Sequence, residues 1–428
     1  DTNWVVPLGP NVNGFEDDLK RFVTSVVNSK EKESSFIDES YPQSILPHED
    51  NPDNLWKDSL PNLEDKRVVA LCSGTAAVHL SLIALGVKAG DEVICQSFTF
   101  CASSHPVTYL GATPVFVDSE KETWNMDPLL LEEAIKDRIS KNGKKPKAII
   151  VVYLYGMPAK IKEILAVADK YNIPVVEDAA EGLGSRYNGQ VCGTFGEYGV
   201  LSFNGNKMIT TSGGGALICP NEAARTEVMF YATQAREGYP YYQHEKIGYN
   251  YRLSNVCAGI GRGQMTVLDE HIAHHRHIAH LYEEAFSKIE GITFHANPSP
   301  MFDSNYWLNT MTIDPSVKVK GQENAYQSTV KGAVGGAAGV IHAVADAHTD
   351  CEPNANIEAM RVYLDKANIE SRPLWKPMHK QPCYQNCPAY ITGVSENLFK
   401  IGMCLPSGPL VTDDDVNYIV ETIKSAIE

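Results

Sequence analysis

The sequence predicts an α/β fold in which a large domain, built on a mostly parallel sheet flanked by helices, is followed by a smaller α+β C-terminal domain. Three observations carry this. Short apolar runs alternate with longer amphipathic stretches from residue 67 to about residue 174, which is the rhythm of strand, helix, strand units. The runs are apolar on both faces, so helices must cover the sheet above and below. A long stretch without proline, Ser254–Ile289, carries apolar residues at helical spacing and leads into a region of different pattern.

Taken in order, residues 1–65 are polar and contain proline, and read as an N-terminal arm or helix followed by a long loop. Strands are expected at Arg67–Cys72, Glu92–Cys95, Thr113–Asp118, Ala148–Tyr153, Pro174–Asp178, Gly199–Phe203 and Gly215–Cys219. Helices are expected at Thr75–Leu85, Leu129–Ile139 and Ala159–Tyr171, and Ser254–Ile289 reads as a linker helix. The boundary falls near residue 265, giving an arm and large domain over 1–265 and a small domain over 266–428. The small domain offers a strand at Tyr306–Ile313, a helix at Asn356–Ala367 and a closing amphipathic helix at Asp413–Ile427. Between them, Val319–Asn356 reads as an insertion loop. Its glycine-rich run from Gly332 to Gly339 is a poor helix, since each glycine costs about 1 kcal/mol relative to alanine; a close-packed segment of small residues is the competing reading.

Charge and cysteine usage limit the function. Lys plus Arg number 37 against 53 Asp plus Glu, a formal charge of −16. A phosphate backbone rewards clustered cations, and no basic block compensates, so nucleic acid is not the expected partner. The ten cysteines are scattered, and the one close pair, Cys383 and Cys387, has CxxxC spacing. That is no disulfide scaffold, and a reducing cytoplasm is expected. No apolar stretch is long enough to span a bilayer, and the N-terminus lacks a basic region followed by an apolar one.

Three clusters carry chemistry. Cys72-Ser73-Gly74-Thr75 lies between a strand and an apolar helix, where backbone N–H groups and a helix dipole can hold a phosphate, although Ser and Thr are also ordinary N-caps. Val175-Val176-Glu177-Asp178 is a strand ending in carboxylates, which puts Asp178 beyond the carboxyl end of a strand, where ligands of open α/β sheets sit. Lys207 follows another apolar strand among small and polar residues, placed to reach into a cleft as a covalent-catalysis lysine must. Each has a bland alternative: a structural cap, a capping carboxylate, a solvated lysine. Together they are the parts that pyridoxal phosphate requires, namely a phosphate cradle, a carboxylate for the ring nitrogen and a lysine for the aldehyde.

The chain resembles the DegT-type nucleotide-sugar aminotransferases, a branch of the fold-type-I, aspartate aminotransferase-like pyridoxal phosphate enzymes. The resemblance runs from about Val68 to the C-terminus, excluding Val319–Asn356. It rests on SGTAAVHLSL, SFTFCAS, VFVD with NMDP, VVEDAAEGLGSRYNG, FGEYGVLSFNGNKMITTSGGG and GYNYRLSN. It implies that Gly74, Thr75 and Ser202 hold the cofactor phosphate, that Phe100 stacks on the pyridine ring, that Asp178 pairs with the ring nitrogen and that Lys207 carries the aldehyde. Glu181, standing where many relatives have Gln or His, would contact the cofactor's phenolic oxygen. Asn250 would reach the phosphate of a neighbouring subunit, which makes a homodimer with shared sites the working unit. Residues 1–65 are longer than the usual family start and unlike it.

The implied reaction moves an amino group from L-glutamate to a nucleotide-linked 4-keto-6-deoxy sugar. The lysine motif and the segment Ser371–His379 look most like members acting on UDP-linked hexosamines, for surface polysaccharide or glycan biosynthesis. Arg372, Lys376 and His379 could meet a diphosphate or sugar hydroxyls, or lie in a solvated loop. Two other functions compete: a related sugar dehydratase, in which the lysine is replaced by His, and a cofactor-binding regulator without turnover. His271, His274, His275, His277 and His280 crowd one helix, but without HExxH or paired carboxylates a polar interface helix is expected there and no metal site.

Overall fold

The computed structural model describes residues 6–25, 62–325 and 351–428. The glycine run at 332–339 and nearly all of the expected loop before residue 65 lie outside the described residues. Helix α1 (Pro10–Val23) precedes an alternating series: β1 (Arg67–Leu71), α2 (Gly74–Ala84), β2 (Glu92–Gln96), the short α3 (His105–Tyr109), β3 (Thr113–Val117), α4 (Pro128–Asn142), β4 (Ala148–Val152), α5 (Ile161–Lys170) and β5 (Val175–Asp178). The hairpin β6 (Arg186–Tyr187) and β7 (Gln190–Val191) follows, then β8 (Tyr198–Ser202), β9 (Gly215–Cys219), α6 (Glu222–Ala232), α7 (Asn255–Met265) and α8 (Leu268–Phe286). The rest comprises β10 (Ile292–Phe294), β11 (Phe302–Asp303), β12 (Asn309–Ile313), α9 (Ala355–Lys366), β13 (Arg372–Pro373), β14 (Ala389–Tyr390), α10 (Val394–Ile401), β15 (Gly402–Leu405) and α11 (Asp413–Ala426).

The large sheet has the order β1-β9-β8-β5-β4-β2-β3-β14. Only β9 runs antiparallel to its neighbours; β2, β3, β4, β5 and β8 pair in parallel. Strands such as Ala148–Val152 are buried at every position, the consequence of helices on both faces. Local chemistry agrees with the pattern. In α4, Asp127 caps the amide of Leu129 and Pro128 opens the first turn, while Gly143, at φ 66, ends the helix in the left-handed region. A smaller antiparallel sheet, β10-β12-β15-β13, packs with α8, α9 and α11 through Tyr282, Phe286, Ile313, Met360, Met403 and Ile423. Two short strands from beyond residue 265 return to the first region: β14 lies parallel to β3, and β11 pairs with β6.

Two expected elements differ. Ser254–Ile289 forms two helices, broken at Thr266–Val267, where Val267 has φ −115 and ψ 5. Glycines at 259, 261 and 263 and the β-branched pair 266–267 weaken helix propensity there. Gly261 serves packing, since a Cβ on it would meet the Phe15 ring of α1 at 2.7 Å. The expected strand Tyr306–Ile313 begins only at Asn309, because Tyr306 takes φ 49 and turns the chain. Among the described residues, no helix is long and apolar enough to cross a membrane.

Candidate active site

The carboxyl ends of β1, β2, β4, β5 and β8 and the start of antiparallel β9 meet on one edge of the large sheet, where a ligand crevice is expected. A cavity of about 330 Å³ opens there, lined from these ends by Ser73, Phe100, Val152, Asp178, Ser202 and Gly214, among others.

Helix α2 points its N-terminus into this cavity. Ser73 is its N-cap, accepting a hydrogen bond from the Ala76 amide at 3.0 Å. The amides of Gly74 and Thr75 precede the first intrahelical bonds and carry the positive end of the helix dipole. Close approach dictates glycine here: a Cβ on Gly74 would lie 3.1 Å from the Ser202 Cβ. The capping and phosphate-holding readings of this turn are compatible, because the cap uses the Ser73 side chain and leaves the amides of Gly74 and Thr75, both cavity-lining residues, without intrahelical partners.

Asp178 ends β5, with its residue 5% exposed. Its Oδ2 accepts from the Ser103 hydroxyl at 2.6 Å, and its Oδ1 accepts from the Ala180 amide at 3.1 Å. Ser103 Oγ is in turn 2.9 Å from Thr99 Oγ1. Burial pushes the Asp178 carboxyl up, while the Ser103 and Ala180 donors and the charge of Lys207 oppose that shift. A buried carboxylate with donors on both oxygens suits a cationic ring nitrogen.

Lys207 is no surface charge; its side chain is 13% exposed. Its Nζ lies 3.5 Å from Glu181 Oε1 and 4.0 Å from the centroid of the Trp307 ring. Glu181 Oε2 accepts from the Tyr155 amide at 2.7 Å. Burial raises the Glu181 carboxyl to about 7, against the opposing pull of Lys207. An amine, an acid that titrates near neutrality and an aromatic face thus share one wall of the cavity.

Gly74, Thr75, Phe100, Asp178, Glu181, Ser202 and Lys207 all line this one cavity. Phe100, 51% exposed, stands at its mouth with its ring 5.4 Å from that of Trp375. The four remaining candidates are not among its lining residues. Asn250 is exposed and bridges to Thr233. Arg372 pairs with Glu370 at 2.8 Å. His379 links Ser97 Oγ, at 2.6 Å, to Glu396 Oε1, at 3.1 Å. Lys376 buries its Nζ with no hydrogen-bond partner among the described residues. The histidines of α8 serve packing and pairing: His275 is buried against the Tyr306 carbonyl at 3.0 Å, and His277 meets Asp413 at 2.8 Å.

Sequence reasoning missed Ser103, Trp307 and Trp375. Ser103 closes the SFTFCAS motif and could have been read as a partner for Asp178. Trp307 sat inside an apparent strand and gave no signal. A larger, more open hollow of about 810 Å³ lies near Arg21, Arg186 and Arg262, but Arg262 is held by Asp18 and Arg186 by the Ser25 and Gly189 carbonyls. The chemistry-bearing groups are in the smaller cavity. Its positive helix end, buried carboxylate and lysine fit the three parts of pyridoxal phosphate.

The model of the DegT/DnrJ/EryC1/StrS aminotransferase family matches residues 60–334 and 336–424. EpsN of Bacillus subtilis, assigned to the pyridoxal phosphate-dependent aminotransferases, is 40% identical over 99% of this chain and 89% of its own length. GDP-perosamine synthase of Escherichia coli O157:H7 is 33% identical over 82% of this chain and 83% of its own. The UDP-2-acetamido-2-deoxy-3-oxo-D-glucuronate aminotransferase of Pseudomonas aeruginosa is 33% identical over 61% of this chain and 71% of its own. Among solved structures, a DegT DnrJ EryC1 StrS aminotransferase from Brucella abortus superposes with a TM-score of 0.75 at 23% identity, covering 99% of this chain and 91% of that one.

Proposed function

The chain belongs to the DegT/DnrJ/EryC1/StrS aminotransferase family, whose cofactor is pyridoxal phosphate, and on that premise we propose that it moves an amino group from L-glutamate to a nucleotide-linked 4-keto-6-deoxy sugar. The carrying observation is the convergence of Lys207, Asp178 and the Ser73–Thr75 helix end on one cavity of about 330 Å³. Bound there, pyridoxal phosphate supplies an aldehyde for Lys207 and an electron sink that eases loss of a proton from the substrate carbon.

The protein's own groups do the rest. The amides of Gly74 and Thr75 and the Ser202 hydroxyl would hold the phosphate, Asp178 would pair with the ring nitrogen, Glu181 would meet the phenolic oxygen, and Phe100, at the cavity mouth, would stack on the ring. Lys207, once free, would act as general base on the donor carbon and then as general acid, moving the proton from that carbon to the cofactor. Asn250 is exposed and is not among the lining residues of its own cavity, in keeping with a role in a partner's site, so we take the working unit to be a homodimer. Ten free cysteines are consistent with a reducing cytoplasm.

We take the acceptor to be a UDP-linked 4-keto-6-deoxy-N-acetylhexosamine, used for surface polysaccharide. A second reading has support from the Pseudomonas aeruginosa relative, whose name specifies a UDP-linked 3-oxo sugar; GDP-perosamine synthase points instead to a GDP-linked acceptor. The test is spectroscopic. Glutamate should bleach the long-wavelength absorption of the cofactor-loaded protein, and each active keto sugar should restore it. No response to glutamate sinks the transaminase reading or its donor. Restoration only by a 3-keto sugar, or only by GDP-linked ones, overturns the assigned acceptor.

A further inference from the structure

Trp307 is held in place more firmly than an ordinary core aromatic. It is 4% exposed, yet it lies in neither sheet: it precedes β12 and reaches back to the lysine loop. Its indole Nε1–H donates to the Asn206 carbonyl at 2.7 Å, the residue next to Lys207. Its own amide donates to Asn305 Oδ1 at 2.8 Å. Asn305 Nδ2 donates to the carbonyls of Glu181 and Leu183 at 2.8 and 2.9 Å. Asn305 therefore ties the tryptophan to the turn that carries Glu181.

The backbone around it is shaped for this purpose. Tyr306 sits at φ 49, a conformation that bulky residues adopt only when their surroundings enforce it. His275 fixes the Tyr306 carbonyl at 3.0 Å. Gly156 leaves the room that Asn305 fills, since a Cβ there would come within 2.0 Å of Asn305 Oδ1. The outcome is a ring whose face lies 4.0 Å from Lys207 Nζ, opposite a carboxylate oxygen at 3.5 Å. Nothing in the family match or in the three motif clusters assigns a role to this residue.

We propose that Trp307 is the positioning residue for Lys207, fixing the amine between its indole face and the Glu181 carboxyl whenever the amine is detached from the cofactor. A free lysine has four rotatable side-chain bonds, and leaving its well would cost the geometry that proton transfer requires. The ring face attracts the ammonium, and the indole bulk excludes water from it. The anchor on Asn206 makes the lysine loop and the tryptophan move together. This rests on the reading of Lys207 as the reactive lysine, so the experiment begins with protein that holds no cofactor.

Wild type, Trp307→Phe and Trp307→Leu are treated with acetic anhydride at pH 8 in the absence of cofactor, and acetylation of Lys207 is followed by peptide mass. Loss of the ring should speed acetylation of Lys207 by about tenfold in Trp307→Leu, while Trp307→Phe, which keeps an aromatic face, stays within about threefold of wild type. With pyridoxal phosphate restored, Trp307→Leu should lose about tenfold or more in the rate of the glutamate-induced spectral change with KM for glutamate nearly unaltered, and Trp307→Phe should recover most of it. Equal acetylation in wild type and Trp307→Leu overturns the proposal, as does a loss confined to KM. If wild type shows no spectral response to glutamate but acetylation differs as expected, the positioning role stands and the transaminase reading fails. Should Trp307→Leu not fold, Trp307→Met, bulky and apolar but without a ring face, takes its place with the same expected and overturning results.

Discussion

Gly215 lies directly against the amide of Gly74: a Cβ on Gly215 would come within 2.4 Å of the Gly74 nitrogen and of the Ser73 carbonyl carbon. The first residue of β9 thus presses on the helix N-terminus proposed to hold the cofactor phosphate. Gly215→Ala should displace that turn while leaving the strand pairing of β9 with β1 and β8 in place. We expect pyridoxal phosphate affinity to fall by about tenfold or more, since amide donors moved by an ångström lose most of their hydrogen bonding. Titration of the apoprotein with cofactor, followed by absorbance, measures this. Unchanged affinity would separate the α2 terminus from phosphate binding.

The Ser103 hydroxyl donates to Asp178 at 2.6 Å and opposes the upward push of burial on that carboxyl. Removing it in Ser103→Ala should move Asp178 further toward its neutral form and weaken its hold on a ring nitrogen. The expected result is cofactor that still binds but reacts with glutamate about tenfold more slowly, as suits the loss of a hydrogen bond to a charged group, roughly 1.5 kcal/mol. Single-turnover absorbance with excess glutamate is the measurement. Asp178→Asn should be slower still.

Glu181 gives a pH signature in the cofactor-free protein. Its carboxyl is raised to about 7 in the fold, chiefly by burial, against about 4.3 in the unfolded chain. The folded state therefore binds the proton more tightly, so this group's contribution to stability is highest below about pH 4 and declines as pH rises to about 7, by roughly 4 kcal/mol in all. Above that it is flat. Glu181→Gln, a neutral isostere, should remove this slope. Urea unfolding at pH 5 and pH 8, with wild type and variant compared at each, tests the sign: the wild type should lose more stability between the two than the variant does.

The outline of the large sheet was legible in the sequence because burial on both faces leaves an unbroken apolar run, as in Ala148–Val152. Asp178 and Lys207 stood out as candidates because polar residues at the ends of such runs gather on one edge of a parallel sheet, whereas Ser202, which lines the same cavity, entered through the family resemblance alone. What lay hidden depends on contacts distant in sequence. Trp307 reaches Asn206 across about a hundred positions, and its approach relies on the left-handed backbone of Tyr306, which no local pattern announces. The pairing of β14 with β3 involves two residues and offers no periodicity to read. The bond of His379 to Ser97 spans 282 positions and was likewise out of reach of the sequence, which offered a sugar or phosphate ligand or a solvated loop for that residue.

Phe15 anchors α1 to the large domain. It is fully buried, its ring stands 5.1 Å from Phe203 at an edge-on angle, and Gly261 leaves room for it. Phe15→Ala should cost about 3–5 kcal/mol, and Gly261→Ala about 1–3 kcal/mol by overpacking the same contact. The two share one site, so the double variant should be less destabilised than the sum of the single ones, because the smaller residue at 15 makes room for the new methyl. Chemical denaturation of all four proteins closes the cycle.

Lys376 allows stability and binding to be set against each other. Its Nζ is buried without a hydrogen-bond partner among the described residues, although it follows Trp375, which lines the cavity. An ammonium held out of water with no acceptor is a cost to the free protein, on the order of 1 kcal/mol. If an anionic substrate group supplies the missing acceptor, Lys376→Met should stabilise the free protein by about that amount and raise KM for the nucleotide sugar by about tenfold, leaving the glutamate reaction unaffected. His379→Ala should do the reverse, destabilising the fold by about 1–2 kcal/mol through loss of the Ser97 and Glu396 bonds with little change in KM. Thermal unfolding together with steady-state kinetics on both variants decides between the roles: a Lys376→Met enzyme that is more stable and binds the nucleotide sugar normally would remove Lys376 from the substrate site.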